Sequence, residues 1–278
     1  MEGMRIRTLT ALPVYNEVRH VTPVLDEACR HSQEVLVVDD GSTDGTAALL
    51  ADRRDLRVVA HPTNRGYGAA LASAFAFALR GGYDVLVTMD CDGQHQPQRI
   101  DEFIRVCVDR EADVVSGSRY LEAFPGDSPP PDERLRINRL LTAELNARLG
   151  LELTDAFCGF KAYRVPMLAK LDVTETGYAM PLEFWVQAVD AGLKIVELPV
   201  RRIYLEEARS FGGALDNAEV RLAVYRDVLQ RSIARMRRRP AEAAKAAETS
   251  EEASPATRGE STAAAAGPPE GRAGGRRE

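Results

Sequence analysis

Short apolar runs alternate with stretches whose apolar positions recur every three or four residues. Residues 8–12, 34–39, 56–60 and 85–89 read as strands, apolar and rich in β-branched side chains. Between them, 22–31 places Val24, Leu25 and Ala28 at helical spacing, a helix start follows at 46–50, and 69–79 is an alanine-rich helix. Pro13 restricts the residue before it to extended geometry, so the first strand is predicted to stop there. Further on, 100–110 reads as a helix, 113–119 as a strand with a polar end, 135–149 and 183–191 as helices, and 194–200 as a strand. The stretch 121–133, with Pro125-Gly126 and three prolines at 129–131, reads as a loop. Alternation at this spacing predicts right-handed βαβ crossovers and an α/β fold with a mostly parallel sheet flanked by helices.

An amphipathic helix over 215–239 closes the patterned part, ending in Arg237, Arg238 and Arg239. From Pro240 onward Ala, Glu, Gly, Pro, Ser and Arg follow without apolar period, which predicts a disordered tail. The expected organisation is one domain over 1–239 and a tail over 240–278, without internal repeats.

Composition narrows the function. A net charge of −6 argues against a nucleic-acid binder, which shows a basic footprint. Cys29, Cys91, Cys107 and Cys158 lack CxxC spacing, which favours reduced cytosolic thiols over a disulfide framework or zinc site. Neither a signal peptide nor a bilayer-length apolar run is visible, so the expected location is cytoplasmic with at most peripheral membrane contact. The basic helix end at 231–239 is the element suited to an anionic bilayer, although a basic helix end also complements the helix dipole.

The candidate chemistry centres on residues 85–94. Asp90 and Asp92 stand at the end of an apolar run, followed at once by Gly93. Residues i and i+2 of an extended stretch point the same way, so both carboxylates can face one hard cation. Open α/β sheets place ligands at this end of their strands, and a divalent ion held by few carboxylates and several waters suits diphosphate chemistry. Two other motifs fail. Residues 40–45 begin like a calcium loop, but position twelve is Ala51 instead of a bidentate Glu, and Gly66-Tyr67-Gly68 lacks the third glycine of a dinucleotide turn. Asp90-Cys91-Asp92-Gly93 also resembles the aspartyl-nucleophile motif of haloacid-dehalogenase-type phosphatases, the rival enzyme class, with Gln94 where Thr or Val is usual.

Taken in order, Pro13-x-Tyr15-Asn16-Glu17, Val38-Asp39-Asp40-Gly41-Ser42, Asn64-Arg65-Gly66 and Asp90-x-Asp92-Gly93-Gln94 resemble glycosyltransferase family 2, in its dolichol-phosphate mannose synthase-like branch, over roughly 4–230. The resemblance implies a GT-A fold, Rossmann-like, that uses a nucleotide-diphosphate sugar with Mg²⁺ or Mn²⁺. It assigns Pro13, Tyr15, Glu17, Asp39 and Asp40 to the nucleoside, and Arg65 and Gly66 to its flank. It assigns Asp90 and Asp92 to metal and diphosphate, with Gln94 joining the metal shell. Arg119 matches a basic residue near the transferred sugar or acceptor phosphate, and Arg201 or Arg202 an acceptor-phosphate arginine. Asp155 to Lys161 resembles the family's D-x-x-S-G-F-R segment, with Cys158 and Lys161 in place of Ser and Arg.

These roles imply inverting transfer of a hexose, mannose or glucose, from GDP-mannose or UDP-glucose to polyprenyl phosphate or another acceptor. A phosphate acceptor is already an anionic nucleophile and needs arginines, whose planar guanidinium matches it. Arg136 and Arg139, with Arg134, are candidates for that contact, against a solvated helix face. A hydroxyl acceptor needs a carboxylate base, for which Asp155 and Glu183 are candidates. Tyr178, Phe184 and Trp185 are expected in the core. A non-catalytic nucleotide-sugar-binding protein is the rival from outside enzymology.

Overall fold

The computed structural model describes residues 6–205 and 210–252, with side chains as far as Arg238. In chain order the elements are β1 (Thr8–Val14), α1 (Val21–Arg30), β2 (Val35–Asp39), α2 (Thr46–Ala51), β3 (Arg57–Ala60), α3 (Tyr67–Gly81) and β4 (Val85–Thr88). There follow α4 (Ile100–Asp109), β5 (Val114–Ser118), α5 (Asp132–Leu149), β6 (Lys161–Arg164), α6 (Val165–Leu168), α7 (Met180–Asp190), β7 (Ile195–Pro199) and α8 (Ala218–Glu252).

The strands form a seven-stranded sheet in the order β3-β2-β1-β4-β6-β5-β7. Pairing is parallel except around β6, which runs antiparallel to both β4 and β5. The central strands of this α/β sheet are buried on both faces, while the edge strand β3 is largely exposed. Leu36 and Val38 of β2 join one core with Phe75, Leu141, Trp185 and Leu229. Val35 and Val37, pointing the other way, join a second core with Leu25, Ile100 and Phe103. That two-sided burial is why the central strands read as unbroken apolar runs. Each Leu or Phe so enclosed contributes roughly 1.5–3 kcal/mol.

Some expectations shift. β1 does not stop at Pro13 but continues to Val14. Leu9, Ala11 and Pro13 share the edge facing β4, and β4 pairs only as far as Ala11, so the proline's missing N–H costs no ladder bond. The apolar pattern does not predict β6, because Lys-Ala-Tyr-Arg carries no apolar run, yet Lys161 is buried. The last helix does not end at Arg239 but continues to Glu252. The remainder of the expected tail, 253–278, lies outside the described residues. The sheet and its cavity belong to the compact unit Met1–Arg237, and a second unit begins at Arg238.

Candidate functional site

Loops at the carboxyl ends of β1, β2, β4 and β5 converge on a cavity of about 950 Å³. The first two loops are sewn together. Asn16, held at φ 56°, accepts the Thr43 N–H at 2.7 Å and donates its own N–H to Ser42 Oγ at 3.0 Å. Glu17 N–H donates to Thr46 Oγ1 at 3.0 Å, and Val18 N–H to Asp44 at 3.0 Å. Pro13, Tyr15 and Glu17 line the cavity. Asp39 does not line it; its carboxylate is buried and accepts the Ser42 N–H at 3.0 Å.

Asp40 lines the cavity, but both its oxygens are occupied. Oδ1 is 2.6 Å from His61 Nδ1 and accepts the Arg65 N–H at 2.9 Å, while Oδ2 accepts the Gly66 N–H at 2.7 Å. Arg65 is placed by this backbone contact, and it is Gly66 that reaches the cavity wall. A Cβ on Gly66 would lie 2.3 Å from the Thr176 carbonyl, and one on Gly68 2.3 Å from that of Glu175. The glycines therefore admit a crossing segment of chain. Thr176 O also accepts the Ala69 N–H at 3.1 Å, which caps the start of α3.

Beyond β4 the chain bends, so Asp90 and Asp92 do not lie on the extended backbone that their i, i+2 spacing predicts. They are nonetheless brought to the same cavity, with Gln94. Asp92 accepts the Gln94 N–H at 3.0 Å around Gly93, whose φ is +76°. Asp90 accepts the Tyr67 hydroxyl at 3.1 Å, donates its N–H to His95 Nδ1 at 3.0 Å and lies against Gly159. Burial pushes the Asp90 carboxyl above its ordinary range, Asp92 adding to the shift and His95 opposing it. A desolvated carboxylate beside a second one is a site that gains from a cation. Among the described residues no trio of His, Cys, Asp and Glu forms a closed metal cage. Two carboxylates and an amide fit a hard ion completed by water and a diphosphate, not a structural metal.

The same cavity is lined by Arg119, whose Nε and Nη2 donate to Asp155 at 2.7 and 3.0 Å. Asp155 also accepts from Asn138 Nδ2 at 2.8 Å and Phe157 N–H at 3.1 Å. With no exposed surface and its oxygens taken, Asp155 holds Arg119 and is not free to act as a base. Glu183 is equally committed, accepting the Thr174 N–H at 2.8 Å, the Thr174 hydroxyl at 2.9 Å and the Glu175 N–H at 2.6 Å. Neither carboxylate lines the cavity. Further back, Glu197 accepts the Thr154 N–H and Asp155 N–H, at 2.9 and 3.1 Å, and so fixes the loop that carries Asp155.

The remaining arginine candidates are not brought to the cavity. Arg136 pairs with Glu219 at 2.8 Å on the surface, and Arg139 is exposed. Arg202 pairs with Asp127 at 3.3 Å, and Arg201 donates to Pro125 O at 3.0 Å, which ties the 121–131 loop to the end of β7. Arg134 and Arg221 line the cavity instead. So do Tyr67 and Tyr178, the latter 39% exposed and not in the core where it was expected, whereas Phe184 and Trp185 are buried. Helix phase was the available signal for Arg134. Ile137, Leu141 and Leu145 mark the buried face of α5, and Arg134 stands one turn before Ile137. Arg221 had no such signal, being one of many arginines in a long helix.

Residues 10–172 match the family model described as glycosyl transferase family 2. The polyprenol monophosphomannose synthase of Mycolicibacterium smegmatis is 36% identical over 207 residues, covering 70% of this chain and 76% of that one. The undecaprenyl-phosphate mannosyltransferase of Micrococcus luteus is 34% identical over 229 residues, covering 77% and 92%. Among solved structures, glucosyl-3-phosphoglycerate synthase from Mycobacterium tuberculosis, in complex with Mn²⁺, UDP and glucosyl-3-phosphoglycerate, superposes with a TM-score of 0.60 at 21% identity, covering 82% and 80%. That likeness concerns the fold, which is GT-A-like. Neither an Asp90-nucleophile phosphatase nor a binding protein without activity accounts for these matches. The chain belongs to glycosyl transferase family 2, in the branch resembling dolichol-phosphate mannose synthase, and is a glycosyltransferase.

Proposed function

We propose that the protein transfers a hexose from a nucleotide-diphosphate sugar to a polyprenyl phosphate, with a divalent ion and with inversion at the anomeric carbon. The observation that carries this reading is the commitment of Asp155 and Glu183 to structural hydrogen bonds, while Arg119 and Arg134 line the same cavity as Asp90 and Asp92. A hydroxyl acceptor needs a base in that position; a phosphate acceptor needs only guanidiniums to orient an oxygen already charged.

The residues divide the work by position. Pro13, Tyr15 and Glu17 hold the nucleoside, with Asp40 shaping that pocket through the Arg65–Gly66 backbone. Asp90, Asp92 and Gln94 are the groups that would hold Mg²⁺ or Mn²⁺. Such an ion, when bound, supplies positive charge against the departing diphosphate. Arg119, fixed by Asp155, directs the acceptor phosphate at the sugar from the opposite side. Attack from that side gives inversion. The use of mannose is favoured over glucose by the two relatives named for mannosyl or phosphomannose synthesis. GDP-mannose is therefore the first donor to test, and UDP-glucose the second.

Among the described residues no helix is long and apolar enough to cross a membrane. A polyprenyl phosphate resides in a bilayer, so we place the working protein on the cytoplasmic face as a peripheral protein. Arg237 and Arg238 are exposed for that contact, whereas Arg231 and Arg235 pair with Asp227 and Asp172. Incubation with labelled GDP-mannose, Mn²⁺ and a polyprenyl phosphate should move label into an organic-soluble product. Label remaining water-soluble with both donors would overturn the assignment.

A further inference from the structure

The arginine end of the cavity is completed by a segment outside the matched residues 10–172. Ser210 and Phe211 begin a tight turn, in which Asp216 accepts the Ser210 hydroxyl at 2.6 Å and the Phe211 N–H at 2.7 Å. The turn is pinned from α8. Arg221, 2% exposed, donates from Nη1 to Leu215 O at 2.6 Å and pairs through Nη2 with Glu133 on the first turn of α5. So held, the Phe211 ring lies 4.3 Å from the Arg221 guanidinium carbon and 4.9 Å from that of Arg134.

Phe211 is also the end of an aromatic line. Tyr178 meets it edge-on at 5.5 Å and stacks on Tyr67 at 5.8 Å, and the Tyr67 hydroxyl donates to Asp90. The line runs from the Asp90 carboxylate to two guanidiniums. At its far end an apolar ring stands beside cationic groups. That combination matches a phosphate monoester whose first carbons are hydrocarbon. It offers little to a small phosphate bearing hydroxyls or a carboxylate, which would have to lose water against the ring.

We propose that Phe211, positioned by Arg221, selects the acceptor by packing against the first carbons of an isoprenoid chain directly behind its phosphate. This rests on the phosphate-acceptor reading above. It assigns the choice among phosphate acceptors to the 210–225 segment, while residues 10–172 supply the donor site and, through Arg119 and Arg134, the phosphate contacts.

The test compares wild type, Phe211→Ala, Phe211→Leu and Arg221→Lys with farnesyl phosphate and with 3-phosphoglycerate as acceptors. Phe211→Ala should raise the KM for farnesyl phosphate by about tenfold or more, with the donor KM unchanged. Phe211→Leu, which keeps apolar surface, should recover most of the loss. Arg221→Lys should follow Phe211→Ala in direction, because one ammonium cannot serve both Leu215 O and Glu133 as the guanidinium does. A retained nucleotide-induced rise in Tm shows that each variant is folded. An unchanged farnesyl phosphate KM in Phe211→Ala, or donor and acceptor KM rising together, overturns the proposal while leaving the phosphate-acceptor reading intact. Wild-type enzyme that glycosylates 3-phosphoglycerate and no isoprenoid phosphate overturns both.

Discussion

Arg119 and Asp155 form a two-pronged ion pair, Nε to Oδ2 at 2.7 Å and Nη2 to Oδ1 at 3.0 Å, with the carboxylate wholly buried. Burial alone would push the Asp155 carboxyl up, but Arg119 and the Asn138 amide outweigh it and bring it down to about 2. A carboxyl with a folded pKa below its unfolded value contributes stability above the unfolded pKa, lost as pH falls through the folded one. Asp155→Asn should therefore flatten the acid limb of the stability curve between about pH 4 and pH 2. Asp155→Ala, which strands the guanidinium, should cost about 3–5 kcal/mol by denaturant unfolding. Turnover by Asp155→Asn should fall by about 10–100-fold because Arg119 loses its aim. Wild-type turnover in that variant would remove Arg119 orientation from the mechanism.

Gly159 offers a cleaner probe of Asp90. A Cβ there would stand 2.4 Å from Asp90 Oδ2, and its φ is not among the positive values that disfavour other residues. Gly159→Ala is thus a displacement of one carboxylate with little backbone penalty. Activity should fall by about 100-fold while the circular dichroism spectrum stays native. Full activity would mean that the Asp90 position does not matter at this precision.

Legibility followed the range of the interactions. β2 and β4 were plain because strands buried on both faces need apolar residues throughout, and Asp90, Asp92 and Gln94 were plain because one bend carries them all. β6 was hidden because its buried lysine resembles a surface residue; the ammonium is met by the Cys158 carbonyl and the Trp185 ring, a solution invisible in four letters. The pairing of Asp155 with Arg119 is not visible in the sequence, because 36 residues separate them. Arg136 and Arg139 were grouped with Arg134 because α5 carries arginine on several faces. The phase set by Ile137, Leu141 and Leu145 separates them.

Asp92 tests the metal assignment independently of turnover. Wild type should show a Tm rise of roughly 5–10 °C with GDP or UDP at a hundredfold excess over Kd, provided that Mn²⁺ is present. Asp92→Ala should lose the Mn²⁺-dependent part and keep the Tm of the ligand-free protein. A nucleotide shift of equal size with and without Mn²⁺ in wild type would contradict a shared metal-diphosphate site.

The thiols should be quiet. Burial, then the neighbouring Asp55, pushes Cys29 up to about 11, and burial pushes Cys107 up to about 11. At pH 8 a thiol with that pKa is about one part in a thousand thiolate. Cys91, Cys107 and Cys158 are buried, and Cys29 is partly buried. A disulfide reagent at pH 8 should react slowly with the native protein and rapidly with all four cysteines after denaturation. A fast native phase would show that one of these sites opens.

His61 joins Asp40 to Ser73, with Nδ1 2.6 Å from Asp40 and Nε2 2.9 Å from the serine hydroxyl. The order Ser-His-Asp is that of a hydrolytic triad, but Ser73 lies within α3 and does not line the cavity. The chain of bonds instead holds Asp40, and through it the Arg65 and Gly66 backbone beside the cavity. His61→Phe leaves that buried carboxylate one donor short, a loss of about 1.5–3 kcal/mol in stability. It should also weaken GDP and UDP binding, since the loop is no longer anchored to α3. A serine-directed organophosphate should leave Ser73 unmodified by mass spectrometry. Modification at Ser73, or unchanged nucleotide affinity in His61→Phe, would show that the three residues do something other than brace the pocket.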